Sequence, residues 1–216
     1  IRDSRVARLM LVAGLKARHK RRRLPTDPGV RPEHSIAPNL LDRTFEATAP
    51  NQRWVADFTY IWTAEGWLYF AVVLDLFSRR IVGWSMSDSI DAKLVCAALR
   101  SAYWQRKPSP GLLMHTDRGS QYASLEYRRL AGDFGITMSM SRRANCWDNA
   151  AMESFWSLLQ TNVLNQQRWA TKQELRLAIV VWIERKYHRQ RAQDTLGGLT
   201  PIEFEAKLTE PLTLAA

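Results

Sequence analysis

Arg53-Trp-Val-Ala-Asp-Phe-Thr-Tyr-Ile-Trp62, followed after a short break by Trp67-Leu-Tyr-Phe-Ala-Val-Val-Leu74, decides the fold of this chain. Both runs are rich in β-branched and aromatic residues, which suit a pleated, half-buried surface. With a third run they predict strands over 53 to 62, 66 to 75 and 80 to 86. The connections are too short for a crossover helix, so the three form an antiparallel meander. The middle one is apolar throughout, which predicts cover on both faces. Further on, the patterns predict a helix near 91 to 105, a strand at 112 to 116, a helix near 124 to 133 and a strand at 136 to 140. That alternation implies parallel crossovers and an α/β class. If the fourth strand returns beside the first, Asp57 and Asp117 become neighbours at the kind of crevice where open α/β sheets bind ligands. The sequence itself leaves that strand order open.

Asp57 lies within the first strand, where a buried, unpaired charge costs several kcal/mol unless a cation or donor compensates it. Asp117 ends another apolar run. Glu153 falls in Asp148-Asn-Ala-Ala-Met-Glu-Ser-Phe-Trp-Ser-Leu-Leu-Gln160, which reads as a helix over 148 to 163 with Asp148 at its N-cap. Brought together, the three carboxylates make a cage for a divalent metal. Taken singly, each has a plainer reading: Asp57 as an ion-pair partner, Asp117 as a turn former before Arg118-Gly119, and Glu153 as a helix-surface charge. Asp75 is expected to pair with Arg79 or Arg80 across a turn, and Asp148 to cap its helix, so neither joins the metal set.

The formal net charge of +10 points to a polyanionic partner. Residues 1 to 33 hold ten Lys/Arg against three Asp/Glu, so most of the excess sits in an N-terminal arm that includes Lys20, Arg21, Arg22 and Arg23. Such an arm suits phosphate contacts that are strong but blind to sequence. No run is long enough to span a membrane, and the charge run has no apolar segment behind it, so a cytoplasmic location is expected. The two cysteines and four histidines show no zinc spacing.

Residues 4 to 14 form an amphipathic helix candidate with Val6, Leu9, Met10 and Ala13 at helical spacing and Gly14 as its stop. Prolines 25, 28, 32 and 38 mark a linker. Towards the C-terminus, Thr171 with Glu174 makes a capping box for a long helix to about 187, and Thr200-Pro-Ile-Glu203 opens a short last one.

Several motifs occur in one order along the chain. They are Ser4-Arg-Val-Ala-Arg-Leu-Met10, Pro50-Asn-Gln-Arg-Trp-Val-Ala-Asp-Phe-Thr-Tyr60, Val73-Leu-Asp-Leu-Phe-Ser-Arg-Arg-Ile-Val-Gly-Trp84 and His115-Thr-Asp-Arg-Gly-Ser-Gln-Tyr122. Asn145-Cys-Trp-Asp-Asn-Ala-Ala-Met-Glu-Ser-Phe155 and Leu196-Gly-Gly-Leu-Thr-Pro201 complete the set. Together they resemble the catalytic subunit of a bacterial insertion-sequence transposase, in the DDE superfamily that includes retroviral integrases.

The resemblance implies a ribonuclease H-like fold: a mixed five-stranded sheet, antiparallel meander plus parallel strands, flanked by helices, with the two aspartates on adjacent strands. It implies metal-dependent DNA strand cleavage and strand transfer, with Asp57, Asp117 and Glu153 as catalytic residues and metal ligands. The expected cofactor is Mg²⁺, two ions, with Mn²⁺ as substitute, and Asp57 is expected to bridge them. The expected partners are DNA, both element ends and target, further copies of the chain assembled on that DNA, and an upstream transposase product as fusion or partner. The expected location becomes cytoplasmic and nucleoid-associated. The organisation expected is a partial helix-turn-helix remnant at 1–17, a basic proline-containing linker at 18–50, an integrase-like catalytic core at 51–165 and a C-terminal helical extension at 166–216. Because the chain begins at Ile1 without the preceding helices, it is expected to be a fragment.

Arg118 and Gln121 beside Asp117, and Arg142, Arg143 and Asn145 in a second loop, are the expected DNA contacts. His115, two residues before Asp117, is a candidate for substrate placement or a satisfied core histidine, and Trp156 for base stacking or core packing. Two departures from the family stand out. Seven residues after its glutamate the superfamily usually carries Lys or Arg as a DNA contact, and here the position is Gln160, which hydrogen-bonds but cannot neutralise phosphate. The usual Arg-Pro-His before the Leu-Gly turn reads Arg191-Ala-Gln193. Two rivals follow: a ribonuclease H-like nuclease that hydrolyses without joining, and a non-catalytic DNA-binding remnant.

Overall fold

β1 (Arg53–Thr63), β2 (Gly66–Asp75) and β3 (Ile81–Ser87) pair antiparallel, as their short connections require. This computed structural model describes residues 3–13, 36–142 and 146–209. β4 (Leu113–Thr116) lies parallel to β1, and β5 (Thr137–Met140) parallel to β4. The sheet order is β3-β2-β1-β4-β5, so the fourth strand does return beside the first.

The chain divides into two units, Ile1–Val30 and Arg31–Ala216. In the first, α1 (Asp3–Val12) matches the amphipathic helix expected there, with Leu9 and Val12 exposed, while Gly14 lies outside the described residues.

In the second unit the sheet carries an apolar cluster on each face. Along β2 the alternation sends Phe70, Val72 and Leu74 to one side and Ala71 and Val73 to the other, and all five are buried. The Ala71 side packs on α2 (Ala92–Arg106) and α4 (Leu125–Asp133) through Leu94, Val95, Leu99 and Leu130. The two layers approach so closely at Gly83 that a Cβ there would lie 2.5 Å from the backbone nitrogen of Ala102. The Phe70 side packs on α5 (Ala150–Leu159) through Met152, Phe155 and Leu159. Leu175 and Ile179 of α6 (Lys172–Val181), with Trp182, Ile183 and Tyr187, join the same cluster.

Caps set the helix starts. Asp91 accepts from the Leu94 N–H, Ser124 from Tyr127, and Thr171 from Glu174. At α7 (Pro201–Thr209) the capping box is reciprocal: Thr200 Oγ1 accepts from the Glu203 N–H, and Glu203 accepts from the Thr200 N–H.

Three expectations are corrected. The helix foreseen over 148 to 163 is a 3₁₀ turn at Cys146–Asn149, α5, and a π-helical turn at Gln160–Leu164. The helix foreseen to 187 likewise ends as α-helix at Val181 and continues as a π turn, Trp182–Tyr187. The Asp75 carboxylate forms no ion pair with Arg79 or Arg80, although its backbone N–H donates to the Arg80 carbonyl across the turn. It accepts from the Asn51 and Phe77 N–H groups and faces Arg106 Nη2 at 3.5 Å, because burial demands partners on every side. Arg80 and Arg106 instead converge on Glu205 of α7. The short α3 (Ser120–Ala123) was not foreseen. Among the described residues no helix is long and apolar enough to cross a membrane.

Candidate active site

The β1–β4 ladder pairs Val55 with His115, and two residues further along stand Asp57, within β1, and Asp117, just past the end of β4. Parallel pairing thus brings together carboxylates that are far apart in the chain. Asp57 shares the face of Val55, the face covered by α5.

Asp57 is half-buried and held by two neutral donors, one on each oxygen. Oδ1 accepts from the Phe58 N–H at 2.8 Å, and Oδ2 accepts from the indole Nε1 of Trp156 at 2.9 Å. Burial, then the charge of Asp117, and more weakly that of Glu153, push the Asp57 carboxyl up to about 7, against the lowering effect of the two donors. Asp117 and Glu153 therefore both lie within electrostatic range of Asp57. Glu153, in the first turn of α5, is exposed. Among the described residues no three His, Cys, Asp or Glu side chains converge tightly enough to hold a metal ion as they stand.

Asp117 follows directly on β4, and its Oδ1 accepts from the Gly119 N–H at 2.7 Å. Below lies Tyr122 of α3, buried, with a hydroxyl lacking a hydrogen-bond partner among the described residues. Burial raises that hydroxyl well above its ordinary pKa, and Asp57, Tyr127 and Asp117 add to the effect. Arg118 donates from Nε to the Ser141 carbonyl at 2.7 Å, which joins the loop after β4 to the one after β5. Gln121 accepts from the Ser120 hydroxyl, and Gln160, exposed, donates to Asn165.

His115 is a core residue. It is fully buried between the hydroxyls of Ser139 and Ser141, at 2.8 and 3.0 Å, and burial lowers its pKa to about 4. The strand ends at Thr116, before Asp117, so the face it was expected to share with Asp117 is not continued by the ladder. Trp156 is likewise no free stacking platform, since its ring packs edge-on against Phe70 and Phe155.

Asp148 is not the helix cap. Its buried carboxylate accepts from Asn39, from Arg43, and from the backbone and guanidinium of Arg142, and these partners hold it well below the usual carboxylate range. The N-cap position falls to Asn149, which makes no side-chain cap. Charge-assisted bonds to two arginines outweigh one neutral N–H. Arg142 is thus tied to Asp148 and to Asp42. Arg143, Asn145, Lys20, Arg21, Arg22 and Arg23 lie outside the described residues.

Two contributors to the carboxylate geometry were missed in the sequence: Trp156, weighed there only for base stacking or core packing, and Gly119. The signal for Trp156 was its spacing of three from Glu153, which puts both on one helix face. For Gly119 it was a glycine two residues after a site aspartate, where the backbone must come close.

The Integrase core domain family matches residues 47–146, and a second Integrase core domain family matches 134–201. An uncharacterized 31 kDa protein of insertion element IS600 from Shigella sonnei is 42% identical over 205 residues, which cover 94% of this chain and 74% of that protein. The transposase InsF for insertion sequence IS3A of Escherichia coli (strain K12) is 42% identical over 172 residues, 80% of this chain; the chain spans 60% of that relative's length. The catalytic core domain of HTLV-2 integrase, solved in complex with magnesium in a trimeric form, superposes with a TM-score of 0.55 over 74% of this chain and 99% of that one. At 16% identity that likeness shows the fold, which is ribonuclease H-like. With 42% identity to an insertion-element protein over 94% of this chain, and integrase core matches across its sheet, the chain belongs to the integrase-core family of bacterial insertion-element proteins.

Proposed function

We propose that this chain is the catalytic subunit of a DDE transposase, a polynucleotidyl transferase acting on DNA. It cleaves the ends of a mobile element and joins the freed 3′-hydroxyl to another phosphodiester by direct transesterification. The observation that carries this reading is that Asp57 of β1 lies within electrostatic reach of both Asp117, at the end of β4, and Glu153, on α5, in a transposase-family chain.

The donor set suits a hard divalent cation. Carboxylate oxygens are the ligands that Mg²⁺ prefers. The two donors on Asp57 are both neutral, so they orient its carboxylate without cancelling its charge. Asp57, Asp117 and Glu153 are the proposed holders of two Mg²⁺ ions, with Mn²⁺ as substitute, which neutralise charge at the phosphate and acidify a bound water or hydroxyl. Around them, the Gly119 N–H orients Asp117, and the indole of Trp156 orients Asp57.

Arg118, Gln121, Arg142, Arg143, Asn145 and Gln160 are the proposed DNA contacts, with Lys20 to Arg23 as a phosphate-binding arm. Residues 51–165 are proposed to carry the chemistry, and 166–216 to brace the apolar face under α5. The proposed setting is a multimer on element and target DNA, in the cytoplasm at the nucleoid, with an upstream transposase product as fusion or partner.

The test offers a pre-cut 3′-OH element end together with target DNA and Mg²⁺. Joined product is expected, and Asp57→Asn, Asp117→Asn and Glu153→Gln should each abolish it while folding normally. Hydrolysis without joining would favour the nuclease reading. Full transfer by all three folded variants would overturn the metal site.

A further inference from the structure

Trp156 makes a contact that spans two layers of the fold. It lies one helical turn after Glu153 on α5, and its indole Nε1 donates to Asp57 Oδ2 on β1 at 2.9 Å. The ring itself is held from two sides: Phe70 of β2 meets it edge-on with centroids 5.7 Å apart, and Phe155 at 5.1 Å. The other oxygen of Asp57 is occupied by the Phe58 N–H, so the carboxylate plane is set by one donor per oxygen. A carboxylate offers about four lone-pair sites, so two donors leave room for a cation.

We propose that Trp156 is the positioning residue of this site, fixing the rotamer of Asp57 and, through α5, the approach of Glu153 to the two aspartates. The inference rests on the metal-binding reading above. The choice of indole has a physical reason. A Lys or Arg in the same place would hold Asp57 but cancel the charge a cation needs, and a hydroxyl would add rotational freedom. The indole N–H is neutral, cannot titrate, and sits on a ring locked by packing. Removing it frees the Asp57 carboxylate to rotate about χ2 and cuts the polar tie between α5 and β1.

The experiment measures Mn²⁺ binding by the loss of the free-ion electron paramagnetic resonance signal, with a thermal melt of each protein beside it. Four forms of the chain are compared: wild type, Asp57→Asn, Trp156→Phe, and a form carrying the benzothiophene isostere of tryptophan at position 156. The isostere keeps the ring shape and lacks only the donor. Asp57→Asn should lose the site. Trp156→Phe and the isostere should bind about tenfold more weakly, the scale seen when partners that orient metal ligands are removed. The isostere should melt within a few degrees of wild type, and the resonance of its bound ion should broaden as the ligand geometry becomes heterogeneous. Wild-type affinity in the isostere form, with the site lost in Asp57→Asn, would overturn the role of Trp156 and leave the metal site standing. Wild-type affinity in Asp57→Asn would overturn both. Should Trp156→Phe unfold, the isostere alone decides.

Discussion

The backbone N–H of Gly119 donates to Asp117 Oδ1 at 2.7 Å, and a Cβ added at position 119 would meet that same oxygen at 2.8 Å. The glycine is therefore required by close approach, not by its backbone angles, which any residue adopts at φ −53 and ψ 142. Gly119→Ala should fold, melt within a few degrees of wild type, and push the Asp117 carboxylate aside. A displacement near 1 Å costs roughly a hundredfold in rate. Strand-transfer assays should show that loss, and an unchanged rate would mean that this contact does not place Asp117.

Asp57 is a half-buried carboxylate within reach of two others and held by two neutral donors, the Phe58 N–H and the Trp156 indole. Without metal it costs stability. Asp57→Asn should raise the thermal midpoint of the metal-free protein at pH 8 by about 2–5 °C. The gain is trimmed because an amide can accept only one of the two donors, Phe58 N–H or Trp156 Nε1. The same variant should lose Mn²⁺ binding and transfer activity. A lower midpoint in the metal-free state would show that the carboxylates do not repel.

Asp148 is fully buried, and Arg142 with Arg43 holds its pKa below the usual value of 3.8. A depressed pKa contributes stability that is complete above the unfolded value, near pH 4, and is lost as pH falls further. Asp148→Asn should lower the thermal midpoint at pH 7 by about 5 °C. The gap between variant and wild type should shrink as the melts are repeated from pH 5 towards pH 2. A constant gap across that range would exclude the ionised form as its source.

Gln160 is exposed at the end of α5, and its side-chain amide donates to that of Asn165. Gln160→Lys should add one cationic phosphate contact. Binding to element-end DNA should then tighten at low salt, and the slope of log affinity against log salt should steepen by about 0.9. An unchanged slope would place position 160 away from the DNA.

Much of the framework was legible because it rests on local signals. The runs from Arg53 and Trp67 are short-period apolar patterns, and they became β1 and β2. Thr171 and Thr200 announced helix starts with side chains that act three residues away. What misled was local reasoning applied to buried charge. Asp148 looks like a cap and Asp75 like a turn partner, since the nearest donors in sequence are the visible ones. In the folded chain each is buried, and a buried carboxylate takes the strongest donors within reach, whatever their sequence distance. For Asp148 these include Asn39 and Arg43, and for Asp75 Arg106.

The sequence by itself determined the strand runs, the α/β class and the excess of positive charge near the N-terminus, because composition and periodicity are properties of neighbouring residues, while the choice of the three carboxylates came with the family motifs around them. The tertiary structure decided that β4 lies beside β1, that the Gly119 N–H holds Asp117, and that Trp156 reaches from α5 to Asp57. Those outcomes depend on which surfaces bury one another. Strand order and helix approach are selected by the packing of the two apolar clusters, and no local pattern encodes that choice.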